Sequence, residues 1–91
     1  MIDEYALAEF YNRGLTLEKA GKFEEAAEAY RQALKLDPAH CHAGINLGRL
    51  HLAFREVAPA RRVLGAARSA CPEFQFVIDL FLQQADRIES D

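Results

Sequence analysis

Apolar positions recur along this chain with a period near 3.6 residues, from the first few residues almost to the last. Leu7, Phe10, Gly14 and Leu17 fall on one stripe, the pattern of a helix that packs through a single face. The spacing predicts a first helix over about 3–20, capped by Asp3. Gly21 follows, where a helix can end in the left-handed conformation without a Cβ penalty. A second helix over about 23–36 carries Phe23, Ala26, Ala27, Tyr30, Ala33 and Leu34 on its apolar face, and Pro38 stops it. The same reading predicts helices over about 39–54 and 57–70, with Pro59 in a first turn, where its missing N–H costs nothing. A last helix over about 73–89 has Phe74, Ile78, Leu82 and Ala85 as its stripe. The expected class is all-α.

A shift of 34 residues lays one half of this pattern on the other. Asn12 falls on Asn46, Gly14 on Gly48, Ala26 on Ala60, Ala33 on Ala67 and Pro38 on Pro72, in one register with no gap. Tyr30 meets Leu64 and Phe23 meets Val57. Self-similarity at such a period marks a stack of helical hairpins, each of which buries its apolar face only against a neighbour. Gly14 with Ala26, and Gly48 with Ala60, are expected where two helix backbones approach closely, with Phe10 and Tyr30 filling the space beside them.

These residues resemble the tetratricopeptide repeat (TPR) family. Its succession of aromatic, Leu-Gly, Tyr, Ala, Phe/Tyr, Ala and Pro is met by Phe10, Gly14, Leu17, Ala26, Tyr30, Ala33 and Pro38, and again by Leu47, Gly48, Ala60, Leu64, Ala67 and Pro72. The stretch Gly21-Lys22-Phe23-Glu24-Glu25-Ala26 is similar to the family's turn between helices. The resemblance implies a TPR-like α-solenoid of two antiparallel helical hairpins and a closing helix. The expected organisation is a single domain over 1–91, with repeat one at 7–40, repeat two at 41–74 and a capping helix at 75–91. Departures concentrate in the second copy: Gly44 stands where Phe10 stood, His51 where the family has tyrosine, and Arg55 where Gly21 stood. In the first copy Arg13 replaces the leucine before Gly14. The second repeat is therefore expected to pack more loosely, and Arg55 to adopt a left-handed conformation at a cost of about 1 kcal/mol.

In TPR proteins the first helices of successive repeats line a concave groove that holds a partner's peptide or helix. Carried over position by position, the resemblance implies a groove of Ala8, Tyr11, Asn12, Leu15 and Lys19, then His42, Ile45, Asn46 and Arg49, then Phe76, Leu80 and Gln83. Asn12 and Asn46 either hydrogen-bond a bound peptide's backbone or are simply a common choice of the family. Tyr11 and Leu15 occupy positions where some members carry a carboxylate clamp, which disfavours a clamp here. On a helical wheel Phe76 and Leu80 lie about 160° to 200° from Ile78, so the core cannot claim them. Two functions follow. One is a non-enzymatic interaction module, an adaptor or scaffold with a protein or peptide partner. The other is an assembly piece that self-associates, forming a homodimer through its apolar last helix, with Val77, Phe81 and Ile88 toward the side where a further repeat would stack. The chain is also readable as the adaptor segment of something larger.

Composition narrows the chemistry. A chain of 91 residues that is 51% hydrophobic and 27% charged is globular, and its core is too thin to house an ordinary solvent-excluding cleft. The net charge of −3 hides a division. Arg49, Arg55, Arg61, Arg62 and Arg68 face only Glu56 within 41–72, whereas Glu73, Asp79, Asp86, Glu89 and Asp91 outnumber Arg87 beyond it. That excess is small and lacks interleaved aromatics, so no nucleic-acid partner is expected, and a solvated arginine face beside an acidic terminal helix is. No apolar run reaches the ~20 residues of a membrane span, and the acidic start Met1-Ile2-Asp3-Glu4 is unlike a secretory signal. The expected location is cytoplasmic, away from membranes. His40, Cys41, His42 and Cys71 are soft ligand types, but adjacent residues point apart and lack the spaced pairs of structural zinc sites. No metal, cofactor or thiol nucleophile is expected, and Cys41 and Cys71 are expected as free thiols. His51, in a tyrosine's place, is expected to pack. Glu24, Glu25 and Glu28 read as ion-pair partners of Lys22, Arg31 and Lys35 on a solvated face.

Overall fold

The computed structural model describes residues 1–90, and five α-helices account for most of them. They are α1 (Glu4–Lys19), α2 (Phe23–Leu36), α3 (Cys41–Ala53), α4 (Val57–Ala70) and α5 (Gln75–Ser90), with a 3-10 turn at Pro72–Phe74 before the last. No strand occurs among the described residues. Asp3 caps α1 by accepting from the Ala6 amide, and His40 caps α3 by accepting at Nδ1 from the Ala43 amide, 3.0 Å away. Ala39 and His40 thus lie outside the helix that the periodicity placed them in.

Successive helices pack as neighbours, and α5 also touches α3, giving a slab of 40 × 29 × 17 Å. Close approach within each hairpin depends on one glycine. A Cβ at Gly14 would lie 2.4 Å from Tyr30 Cε1, and one at Gly48 would lie 2.5 Å from Leu64 Cγ. Tyr30 and Leu64 are fully buried as a result. One core cluster gathers Ala26, Tyr30, Ala33, Ala43, Leu47 and Leu50 between the hairpins. A second gathers Leu52, Ala60, Leu64, Ala67, Ile78 and Ala85 under the last helix. Phe74 and Leu82 of the expected stripe are half-buried against this second cluster. Phe81 and Ile88, expected to face a further repeat, also pack on it. Phe23 opens α2 largely exposed rather than on its buried face.

The two hairpin turns are the same motif in different residues. After α1 the Lys22 amide donates to the Leu17 carbonyl and the Gly21 amide to that of Glu18; after α3 the Glu56 amide donates to His51 and the Arg55 amide to Leu52. These are the paired bonds of a left-handed helix end. Gly21 has φ 78° and Arg55 φ 63°, so the arginine is held where only glycine is free of strain. His51, which is buried, places Nδ1 2.9 Å from Glu56 Oε1, fastening α3 to the turn that follows it.

The cysteines overturn one expectation. Cys41 opens α3, Cys71 follows α4, and the two form a disulfide with S–S 2.01 Å and Cα–Cα 6.0 Å. They are not free thiols. The antiparallel hairpin that sets Gly48 against Leu64 continues two helical turns outward in both directions and there sets residue 41 against residue 71. The bond lies at the open end of the hairpin, opposite the Arg55 turn.

Two of the five arginines of 41–72 are spent across the α4–α5 interface. Arg61 pairs with Asp86 and Glu89, and Arg68 with Asp79 at 2.7 Å. The Arg68 hydrogen bond and charge hold the Asp79 carboxyl below the ordinary carboxylate range. This is the arginine face beside an acidic helix expected from the charge division.

Candidate interaction groove

The helices α1, α3 and α5 carry the twelve residues singled out for a groove, and the structure joins some of them directly. Leu15, Lys19, Asn46 and Arg49 line one hollow of about 260 Å³. The fifth residue lining it is Glu18, which the sequence reading missed. Its carboxylate accepts from the Tyr30 hydroxyl at 2.7 Å and from the Arg49 guanidinium at 2.6 Å. Three helices therefore meet at one side chain. Arg49 reaches the hollow already paired, so its charge is partly used in holding α3 to α1. Burial, with the Glu18 hydrogen bond next, pushes the Tyr30 hydroxyl well above its ordinary range, so it stays protonated and keeps donating. Glu18 lies three residues after Leu15 on the same helix flank, a spacing that marks it in hindsight.

Aromatic rings extend the site toward the last helix. Tyr11 stands 5.9 Å from Tyr30, 4.9 Å from His40 and 6.4 Å from His42, and His42 stands 5.4 Å from Phe74. Offset and tilted arrangements at these separations are favourable, and they order the His42 ring between α1 and the start of α5. Asn12 is exposed and Asn46 half-exposed. Ile45 is half-buried against the second core cluster, which leaves only its outer part for a partner. Phe76 and Leu80 are 67% and 52% exposed, as their angle from Ile78 requires. With Val77 they form one turn of apolar surface on α5. Gln83 is exposed one turn further on.

Among the described residues no group of three or more His, Cys, Asp and Glu is placed to hold a metal ion, and Cys41 and Cys71 are consumed by each other. The site is a shallow, mixed surface on the first helices of stacked hairpins.

The fold and this surface define a helical-hairpin repeat protein. Residues 8–40 match the family model described as tetratricopeptide repeat. A second hairpin of the same build and a closing helix follow the matched residues. Repeats of this family mediate protein–protein interaction and are not themselves enzymes. No curated protein sequence matches the chain. No helix among the described residues is long and apolar enough to cross a membrane.

Proposed function

We propose that residues 1–91 act as one adaptor unit that holds a partner's peptide or helix against α1, α3 and α5. Tyr11, Asn12, Leu15, His42, Ile45, Asn46 and Arg49 form the floor, and Phe76, Leu80 and Gln83 form the far wall. The observation that carries this reading is the exposure of Phe76 and Leu80 on a helix whose opposite face is fully buried at Ile78 and Ala85. Two large apolar side chains on one turn leave surface that a partner's apolar face would cover.

The second reading, self-association through α5, has the same patch in its favour, because Val77 lies between the two in sequence and is also largely exposed. One experiment separates them. Phe76→Ala with Leu80→Ala should leave the melting temperature nearly unchanged, since exposed substitutions stay within about 0.5 kcal/mol. An anchor at the centre of an interface costs about 2 kcal/mol or more when truncated, so association should fall sharply. Light scattering reads the mass: a dimer lost on mutation supports self-assembly, and a monomer that loses only its partner supports the adaptor. Unfolding of the double variant would place both side chains in the core and refute the groove.

The cytoplasmic location expected from the sequence requires the Cys41–Cys71 bond to open under glutathione, whereas an intact bond fits an oxidising compartment. Alkylation of the protein in its native cells, followed by non-reducing mass analysis, distinguishes the two.

A further inference from the structure

A second hollow, of about 250 Å³, lies apart from the groove, and none of the twelve groove residues lines it. Its floor is Gly44 and its sides include Val63, Ala66 and Ala67 of α4. Leu34, Pro38 and His40 close it from the preceding repeat, and Arg62 stands beside it.

The first hairpin contains the same place. There the corresponding hollow is lined by Phe10, Glu28, Ala29 and Gln32. Each of these is 34 residues before a lining residue of the second hollow, namely Gly44, Arg62, Val63 and Ala66. In the first repeat the protein sets its own phenyl ring there, with the Arg13 guanidinium 5.6 Å from the ring centre. In the second the ring is missing, a glutamine has become alanine, and an acid has become a base. The chain does not refill the space from α3, because a Cβ on Gly44 would already lie 3.2 Å from Ala67 Cβ. Glu28 is engaged by Arg31 and Gln32, whereas Arg62 has no ion pair or side-chain hydrogen bond among the described residues. His40 accepts a backbone bond at Nδ1, so its neutral ring carries the proton on Nε2 and has a donor to spare.

We propose that this hollow is a binding pocket for an aromatic side chain of a partner peptide that bears a carboxylate next to it. The ring takes the position that Phe10 occupies in the first repeat, and the carboxylate meets Arg62.

The test uses the whole disulfide-bonded chain, isotope-labelled, with N-acetyl-phenylalanine as the probe and its amide, N-acetyl-phenylalaninamide, as the uncharged control. The expected result is saturable movement of the backbone amide signals of Gly44, Val63, Ala66 and Ala67. The uncharged control should bind roughly two- to fivefold more weakly, the range of a solvent-exposed ion pair. Arg62→Gln should abolish the difference between the two probes, and Arg62→Glu should reverse it. Ala66→Phe, on the exposed side of α4, supplies a ring from within and should block both; its far-ultraviolet spectrum shows whether it is folded, and Ala66→Leu serves if it is not. Movement confined to the amides of Tyr11, Leu15 and Asn46 would overturn the assignment of the site. Equal binding of the acid and the amide would overturn the assignment of its ligand. Movement of the pocket amides on simple dilution would show a second copy as the occupant and refute the peptide.

Discussion

The two hairpin turns allow a reciprocal substitution in which the backbone term is isolated from nearly everything else. Gly21 and Arg55 hold the same place in the same hydrogen-bonded turn, at φ 78° and 63°. A side chain with a Cβ costs roughly 1–2 kcal/mol in that conformation. Arg55 is exposed, and no ion pair or side-chain hydrogen bond holds it among the described residues. Arg55→Gly removes the strain but gives the unfolded chain more freedom, which returns roughly 0.5–1 kcal/mol. The net gain is about 0.5–1 kcal/mol. For a chain of this size each kcal/mol moves the melting temperature by about 4–8 °C, so the variant should melt about 2–8 °C higher. Gly21→Arg, where nothing lies within 4 Å of an added Cβ, should fall by a similar amount for conformational reasons alone. Thermal melts followed by circular dichroism under non-reducing conditions read both. A lower melting temperature for Arg55→Gly would refute the reasoning, since it would mean that the arginine side chain stabilises the turn by more than its backbone costs.

Two further predictions test the cross-links. Cys41 and Cys71 close a loop with a sequence separation of 30, which in the chain-entropy account stabilises by roughly 3–4 kcal/mol. Reduction, or Cys41→Ser with Cys71→Ser, should lower the urea midpoint by the equivalent of that amount, and two titratable thiols in the unreduced, unfolded protein would refute the bond. Asp79, whose folded pKa is lowered by Arg68, contributes stability that is present above its unfolded pKa and lost as pH falls through the folded one. Hydrogen exchange should therefore show α5 loosening on acidification before α1 and α2 do. Asp79→Asn should remove that early step, and an unchanged profile would count against the ion pair.

Much of the architecture was legible because it rests on periods. A 3.6-residue stripe placed five helices to within a residue or two, and the 34-residue shift laid Gly14 on Gly48 and Tyr30 on Leu64, so one geometry serves both hairpins. The exposure of Phe76 and Leu80 followed from angles on a single helix. What was not legible involves pairs of residues whose proximity depends on how helices are set against one another. Glu18 reads as one more acid on a helix flank until α2 and α3 bring Tyr30 and Arg49 to its two oxygens. The number and setting of the cysteines say nothing about the distance between them. The hairpin register held the answer, because Cys41 lies seven residues before Gly48 and Cys71 seven after Leu64. Antiparallel helices in contact at the inner pair are in contact at the outer pair as well.

The second repeat departs from the first at its aromatic, its inner tyrosine position and its turn glycine, yet it remains a closed hairpin. Each loss has a counterpart nearby. Where Leu17 packs in the first hairpin, His51 is buried and tied to Glu56 on the far side of the turn. Where Phe10 wedges against α2, Gly44 lets α3 and α4 come within side-chain contact of Ala67, and the disulfide fastens the same two helices one turn away. Arg61 and Arg68 then bind α4 to α5. Apolar packing acts wherever volume is filled, but these links act only between particular atoms, so they can hold a hairpin closed around space that is left empty. That is why a hollow survives over Gly44 without collapse. Opening the disulfide should therefore change the pocket before it changes the helices: the Gly44 and Ala67 amides should shift on reduction while the far-ultraviolet spectrum stays the same. Loss of helix in step with those shifts would show that the hairpin and its hollow have no separate existence.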